Sequence, residues 1–127
     1  MGKRSCRRVL QAAVTVLLFV MDLVVLSAVA SARPLSSSNC NGSVCAYVQG
    51  SGTQVTDWET TAYAASATCT YANFWVNYVL ARQSAQQCIP GGTRLRSDWK
   101  NTSFPTGTVL CNTWANIPGE PCETIKG

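Results

Sequence analysis

The chain of 127 residues contains no histidine. Ser-His-Asp and Cys-His nucleophile systems are thereby excluded, and a zinc site would have to do without imidazole. Charge is scarce as well, at 13% of residues against an ordinary share of about a quarter. The formal net charge of +4 is concentrated at the start, where Lys3, Arg4, Arg7 and Arg8 stand. Beyond Ala32 there are six basic residues (Arg33, Arg82, Arg94, Arg96, Lys100, Lys126) and five acidic ones (Asp57, Glu59, Asp98, Glu120, Glu123), a balance of +1. No electrostatic footprint for nucleic acid or anionic lipid remains in that part. Also missing are a phosphate-cradling glycine loop, an acidic metal loop and any cofactor fingerprint, since Gly50-Ser51-Gly52 carries nothing more than a turn. No cofactor and no metal are expected.

What is present begins with an export signal. Four basic residues precede an apolar run from Ala12 to Met21, a second from Leu23 to Leu26, and the small-x-small sequence Ala30-Ser31-Ala32. This pattern predicts a cleaved signal peptide over 1–32, with Arg33 opening the mature chain. A permanent anchor fits worse, because Asp22 would sit within the span at a cost of roughly 2.5 to 3.5 kcal/mol. Residues 33–39, rich in Pro and Ser, read as a flexible polar leader. A single domain is then expected over 40–127.

That domain holds six cysteines: Cys40, Cys45, Cys69, Cys88, Cys111 and Cys122. An even set in a short exported chain is a disulfide framework, and the spacings do not supply the close pairs a metal site requires. Six cysteines allow fifteen complete pairings. The sequential one is preferred, since Asn41-Gly42 and Asn116 to Glu120 are turns that the first and third pairs would bracket. In the chain-entropy picture, such loops contribute roughly 2, 3 and 3 kcal/mol. Cys45, heading a strand, could still reach a more distant partner.

Along the chain, alternation and β-branched residues predict strands at Val44 to Val48, Thr53 to Tyr63, Thr93 to Lys100, Gly107 to Trp114 and Cys122 to Lys126. Tyr71, Phe74, Trp75 and Tyr78 lie at helical spacing, but composition favours one strand from Tyr71 to Leu80. The count is six to seven strands, and the expected fold is an all-β, disulfide-stabilised antiparallel β-sandwich. Three segments share the form Gly-Thr-x-aliphatic followed by Trp: Gly52 to Trp58, Gly92 to Trp99 and Gly107 to Trp114. In the last two the aliphatic residue and the tryptophan are four apart and share a face, whereas Val55 and Trp58 are three apart and should face opposite sides.

Candidate chemistry is thin. Asp57 and Glu59 would share a strand face at roughly glycosidase spacing, but a solvated surface is the simpler reading. The chain is therefore not expected to be an enzyme. Ten aromatic residues after Ala32 are the richer signal. Most tryptophans are needed for the core, and Tyr71, Trp75 and Tyr78, with Asn73 and Asn77 as polar partners, are the predicted exposed ligand-binding cluster.

The segments Gly107-Thr108-Val109-Leu110-Cys111-Asn112-Thr113-Trp114 and Pro118-Gly119-Glu120-Pro121-Cys122-Glu123-Thr124-Ile125, with Gly50-Ser51-Gly52 and the Cys40, Cys45 opening, give the chain its likeness. It resembles a group of small uncharacterised secreted Cys-rich β-domain proteins of actinomycetes. The resemblance implies export and a compact β domain and brings no catalytic residues with it. The expected function is a secreted binding module for an extracellular polysaccharide or protein, with no nucleic-acid partner and no stable membrane insertion. The alternatives are an inhibitor of extracellular proteases, through loops at Ser84 to Arg94 or Asn101 to Thr106, and a hydrolase using Asp57 and Glu59.

Overall fold

In the computed structural model, which describes residues 34–127, ten strands follow one another: β1 (Pro34–Asn41), β2 (Val44–Ser51), β3 (Gln54–Ala64), β4 (Thr68–Thr70), β5 (Ala72–Val76), β6 (Val79–Gln83), β7 (Gln87–Ile89), β8 (Thr93–Ser103), β9 (Val109–Trp114) and β10 (Cys122–Thr124). The expected export signal lies outside the described residues. Two four-stranded antiparallel sheets, β1-β2-β3-β8 (sheet A) and β10-β9-β5-β6 (sheet C), face each other, and β4-β7 forms a small ribbon. The architecture is the expected all-β sandwich, with more strands than expected.

Three expectations are corrected. The leader is not free: Pro34–Asn41 pairs along its whole length with β2, burying Leu35 to 6% exposure. Its serines hid an edge strand, whose outer side needs no apolar residues. The single strand from Tyr71 to Leu80 is a hairpin, β5 to β6, turning at Asn77 (φ 48°) and Tyr78 (φ 64°). Two successive positive φ angles are the two-residue hairpin turn whose twist matches that of its strands. Asn accepts that conformation readily and Tyr does not, so the turn carried only half of its usual signature. Finally, Val55 and Trp58 both point inward, at 1% and 0% exposure. A register shift at Gln49/Gly50, opposite Thr56, inserts the extra residue that restores their phase.

With that bulge, all three Gly-Thr-x-aliphatic-Trp segments do the same job. Gly52, Gly92 and Gly107 each enter a strand at positive φ (59°, 75° and 89°), and Val55, Leu95 and Leu110 are buried beside Trp58, Trp99 and Trp114. One half of the core is aromatic. Trp58 stacks on Trp99 at 5.7 Å between centroids and takes Phe74 edge-on at 5.0 Å and Phe104 edge-on at 5.9 Å. The other half is aliphatic, built on Val44, Val48, Leu110 and Ile125.

Two buried indoles reach polar partners across the sandwich. Trp58 Nε1 donates to Asn112 Oδ1 at 2.7 Å from sheet A to sheet C, and Trp114 Nε1 donates to Thr60 Oγ1 at 3.1 Å in the other direction. Asn112, fully buried, spends its own amide on the carbonyl of Asn73 at 3.2 Å. These bonds satisfy groups that would be costly to bury alone, and they fix how the sheets sit on one another.

The disulfides are Cys40–Cys45, Cys69–Cys88 and Cys111–Cys122. Each joins residues directly opposite in an antiparallel pair. The second holds β4 to β7, a ribbon too short to persist by backbone bonding alone. Three bridges indicate an oxidising, extracellular-type environment. No helix among the described residues is long and apolar enough to cross a membrane.

Candidate functional site

Alternation along β5 sends Ala72 and Phe74 into the core, both at 0% exposure, and leaves Asn73 and Trp75 on the outer face of sheet C. Register adds their neighbours. Thr113 and Gln83 flank Asn73, and Cys111 and Leu80 flank Trp75. Two rows result, one residue pair apart, about 7 Å along the strands. The first is apolar: the Cys111–Cys122 bridge, Trp75 and Leu80. The second is an amide and hydroxyl row: Thr113, Asn73 and Gln83.

Hydrogen bonds fasten the second row and tie the first to it. Gln83 Nε2 donates to Asn73 Oδ1 at 2.9 Å, Asn73 Nδ2 donates to Thr113 Oγ1 at 3.1 Å, and Trp75 Nε1 donates to that same oxygen at 2.9 Å. The indole ring is thus held by its own N–H. Capacity is left over, because each amide nitrogen has a second hydrogen, Gln83 keeps its Oε1, and the Thr113 hydroxyl has accepted twice while its proton remains to be donated. The amide and hydroxyl row carries no charge, and the Glu120 carboxylate comes within 4.8 Å of the Cys111–Cys122 sulfurs at the bridge end of the apolar row.

The predicted cluster is therefore partly assembled. Tyr71, two residues before Asn73, continues the outward alternation, and its carbonyl accepts from Ala115 N at 3.1 Å. Asn77 does not join the platform. It pins the hairpin tip, donating N–H to Val109 O at 2.8 Å and accepting Val109 N at 2.9 Å on its Oδ1. Tyr78 stands at that tip with 68% exposure, beside Val79 at 69% and Leu80 at 45%. Residue type alone singled out Tyr71, Asn73, Trp75 and Tyr78, and it did not single out Gln83, Thr113 and Leu80, which the register sets beside Asn73 and Trp75. Their membership of this face depends on pairing partners 10, 40 and 5 residues away respectively, and none has a distinguishing local signal.

The other candidates stand elsewhere. Asp57 and Glu59 share the outer face of sheet A, as their spacing required, but Glu59 is held by Arg96, Nη2 to Oε2 at 2.6 Å. Asp98 and Lys100 form an exposed pair at 3.4 Å. Asn101 to Ser103 belong to β8, Phe104 is buried, and the Ser84 to Arg94 span carries β7, paired with β4. Cys111, Glu120 and Cys122 come close enough to suggest a metal site, but the two sulfurs are bonded to each other and offer no thiolate. No protein-family model, no curated protein and no solved structure matches the chain.

Proposed function

We propose that the chain is a secreted, non-catalytic module that binds a neutral extracellular polysaccharide on the outer face of sheet C. Sugar rings present an apolar C–H face and a rim of hydroxyls. An aromatic ring beside amide and hydroxyl groups meets both demands. The observation that carries the reading is the Trp75 indole locked onto Thr113 Oγ1 at 2.9 Å, within an uncharged row that still has hydrogen bonds to give. A ring ordered before the ligand arrives saves the entropy of ordering it on binding. The three bridges, the signal-like first 32 residues and the resemblance to small secreted β-domain proteins support export.

The test is retention on insoluble glycans, namely isolated cell wall, chitin and cellulose. Wild type should be retained on at least one of them, and Trp75→Ala should bind it at least about tenfold more weakly, the order expected for loss of an aromatic platform. Absence of retention on all three, or equal retention of the variant, overturns the proposal.

A further inference from the structure

The β5 to β6 hairpin ends in Tyr78, Val79 and Leu80, three of the four exposed large hydrophobic side chains among the described residues. Only Leu80 belongs to the platform rows. Tyr78 also sits at φ 64°, a backbone region that a residue with a Cβ enters at a cost and that Gly or Asn fills cheaply. Nothing in the described chain offsets that cost. Asn77 pins the turn through its two bonds to Val109, while the Tyr78 side chain, 68% exposed, has no hydrogen bond or ring contact with any described residue. An aromatic residue kept at a strained, exposed turn position points to a use outside the fold.

The tip shares one pole of the sandwich with the start of the described chain. Pro34 lies opposite Ser51, beside the β2 to β3 turn. Thr53 of that turn accepts Phe104 N at 2.9 Å, Gly107 N ties the following loop to Ile125 O at 2.8 Å, and Val109 O accepts Asn77 N at 2.8 Å. The connections gathered there, 51–53, 77–78, 104–108 and 125–127, contain no acidic side chain and one basic one, Lys126. Residues 60–81 carry no charge at all, and Arg82 lays its guanidinium over the Trp99 ring, 5.6 Å from the centroid. The apolar runs of the expected export segment end at Leu26, and the residues from Ser27 to Arg33 reach at most about 25 Å. The opposite pole is about 35 Å away along the eleven residues of β3. While that segment is attached, the pole it brings to the bilayer is the one that carries the tip.

We infer that the Tyr78-Val79-Leu80 tip is a membrane-contact surface, which dips reversibly into the interface of a phospholipid bilayer without spanning it. Shape and chemistry select this partner. Val79 and Leu80 offer a sugar neither a flat face nor a hydrogen bond, and a convex tip leaves gaps against the flat sheet of a second copy. A bilayer interface is fluid and closes around such a tip, taking the aliphatic carbons into the acyl boundary and leaving the Tyr78 hydroxyl among the headgroups. A pole without acidic side chains meets no repulsion from headgroup phosphates, and with a single lysine its binding depends on apolar burial more than on anionic lipid. The inference goes beyond the polysaccharide reading and does not rest on it.

The experiment is co-sedimentation of the processed, bridge-intact protein with phosphatidylcholine vesicles and with vesicles enriched in phosphatidylglycerol. Wild type should bind both, with affinities within about threefold of each other. Tyr78→Gly supplies the Asn-Gly pair that such a turn prefers, so its melting temperature should rise while its vesicle binding falls about tenfold. Val79→Ser should lower binding several-fold and leave the protein folded. Absence of binding to both vesicles, binding confined to the anionic vesicle and lost in salt, unchanged binding in the two variants, or a fall in the melting temperature of Tyr78→Gly overturns the inference. So does self-association of the wild type that Tyr78→Gly abolishes, in the absence of vesicle binding, because the tip then belongs to a second copy. Glycan retention without vesicle binding overturns the membrane contact alone, whereas vesicle binding without retention on any polysaccharide overturns the platform alone.

Discussion

The two outer faces of the sandwich are built by the same rule and differ in what they carry. Sheet A presents Asp57, Glu59 and Asp98 against Arg94, Arg96 and Lys100, each placed outward by alternation with the buried Trp58, Ala62 and Leu95. Sheet C presents Trp75, Leu80, Asn73, Gln83 and Thr113, with Glu120 as an acidic neighbour of its Cys111–Cys122 bridge. A strongly hydrated mosaic with equal numbers of each sign keeps water and gains little by giving it up. An aromatic and amide surface holds water weakly and gains by exchanging it for a ligand of mixed character. Six of the ten charged side chains among the described residues stand on the outer face of sheet A.

The comparison breaks most severely at the joint between the sheets. Asn112→Ala leaves the Trp58 indole N–H without its partner and opens a small void, so unfolding free energy should fall by about 2 to 4 kcal/mol in chemical denaturation. A fall below about 1 kcal/mol would mean the cross-sheet bond is not what fixes the sheets on one another. A smaller effect is expected on the platform itself. Thr113→Val keeps the shape but removes the oxygen that holds Trp75 and Asn73, and glycan affinity should drop about threefold to tenfold with thermal stability nearly unchanged. Undiminished affinity would show that ring orientation does not matter. The smallest effect belongs to sheet A. Arg96→Gln should cost under about 1 kcal/mol of stability, as an exposed ion pair does, and leave glycan retention as it was, and raising salt should change that retention little. Retention that collapses in salt or in Arg96→Gln would transfer the binding role to the charged face.

Much of this was legible from residue order. The sequential disulfides could be read because bridged residues directly opposite in a hairpin or short ribbon flank the turn or connection between them, as Cys40 and Cys45 flank Asn41-Gly42. Trp75 could be singled out because one strand face has no room for every aromatic in its stretch. Gln83 and Thr113 could not, since nothing local separates them from other polar strand residues. The bulge beside Thr56 was equally hidden, because an extra residue is visible only against the partner strand that it fails to match.

Composition and periodicity indicated the β class, made the sequential bridges the preferred pairing and marked the glycines that turn the backbone at strand entries, since each depends on residues close in sequence. Tertiary structure decided which side of each sheet meets water and which indole finds which amide, as with Trp58 and Asn112, 54 positions apart. It also left Ser37 Oγ and Glu123 Oε1 buried without a hydrogen-bond partner. The reason is physical: alternation says only that neighbouring side chains point oppositely, and it takes a second sheet, arriving from elsewhere in the chain, to make one of those directions the inside.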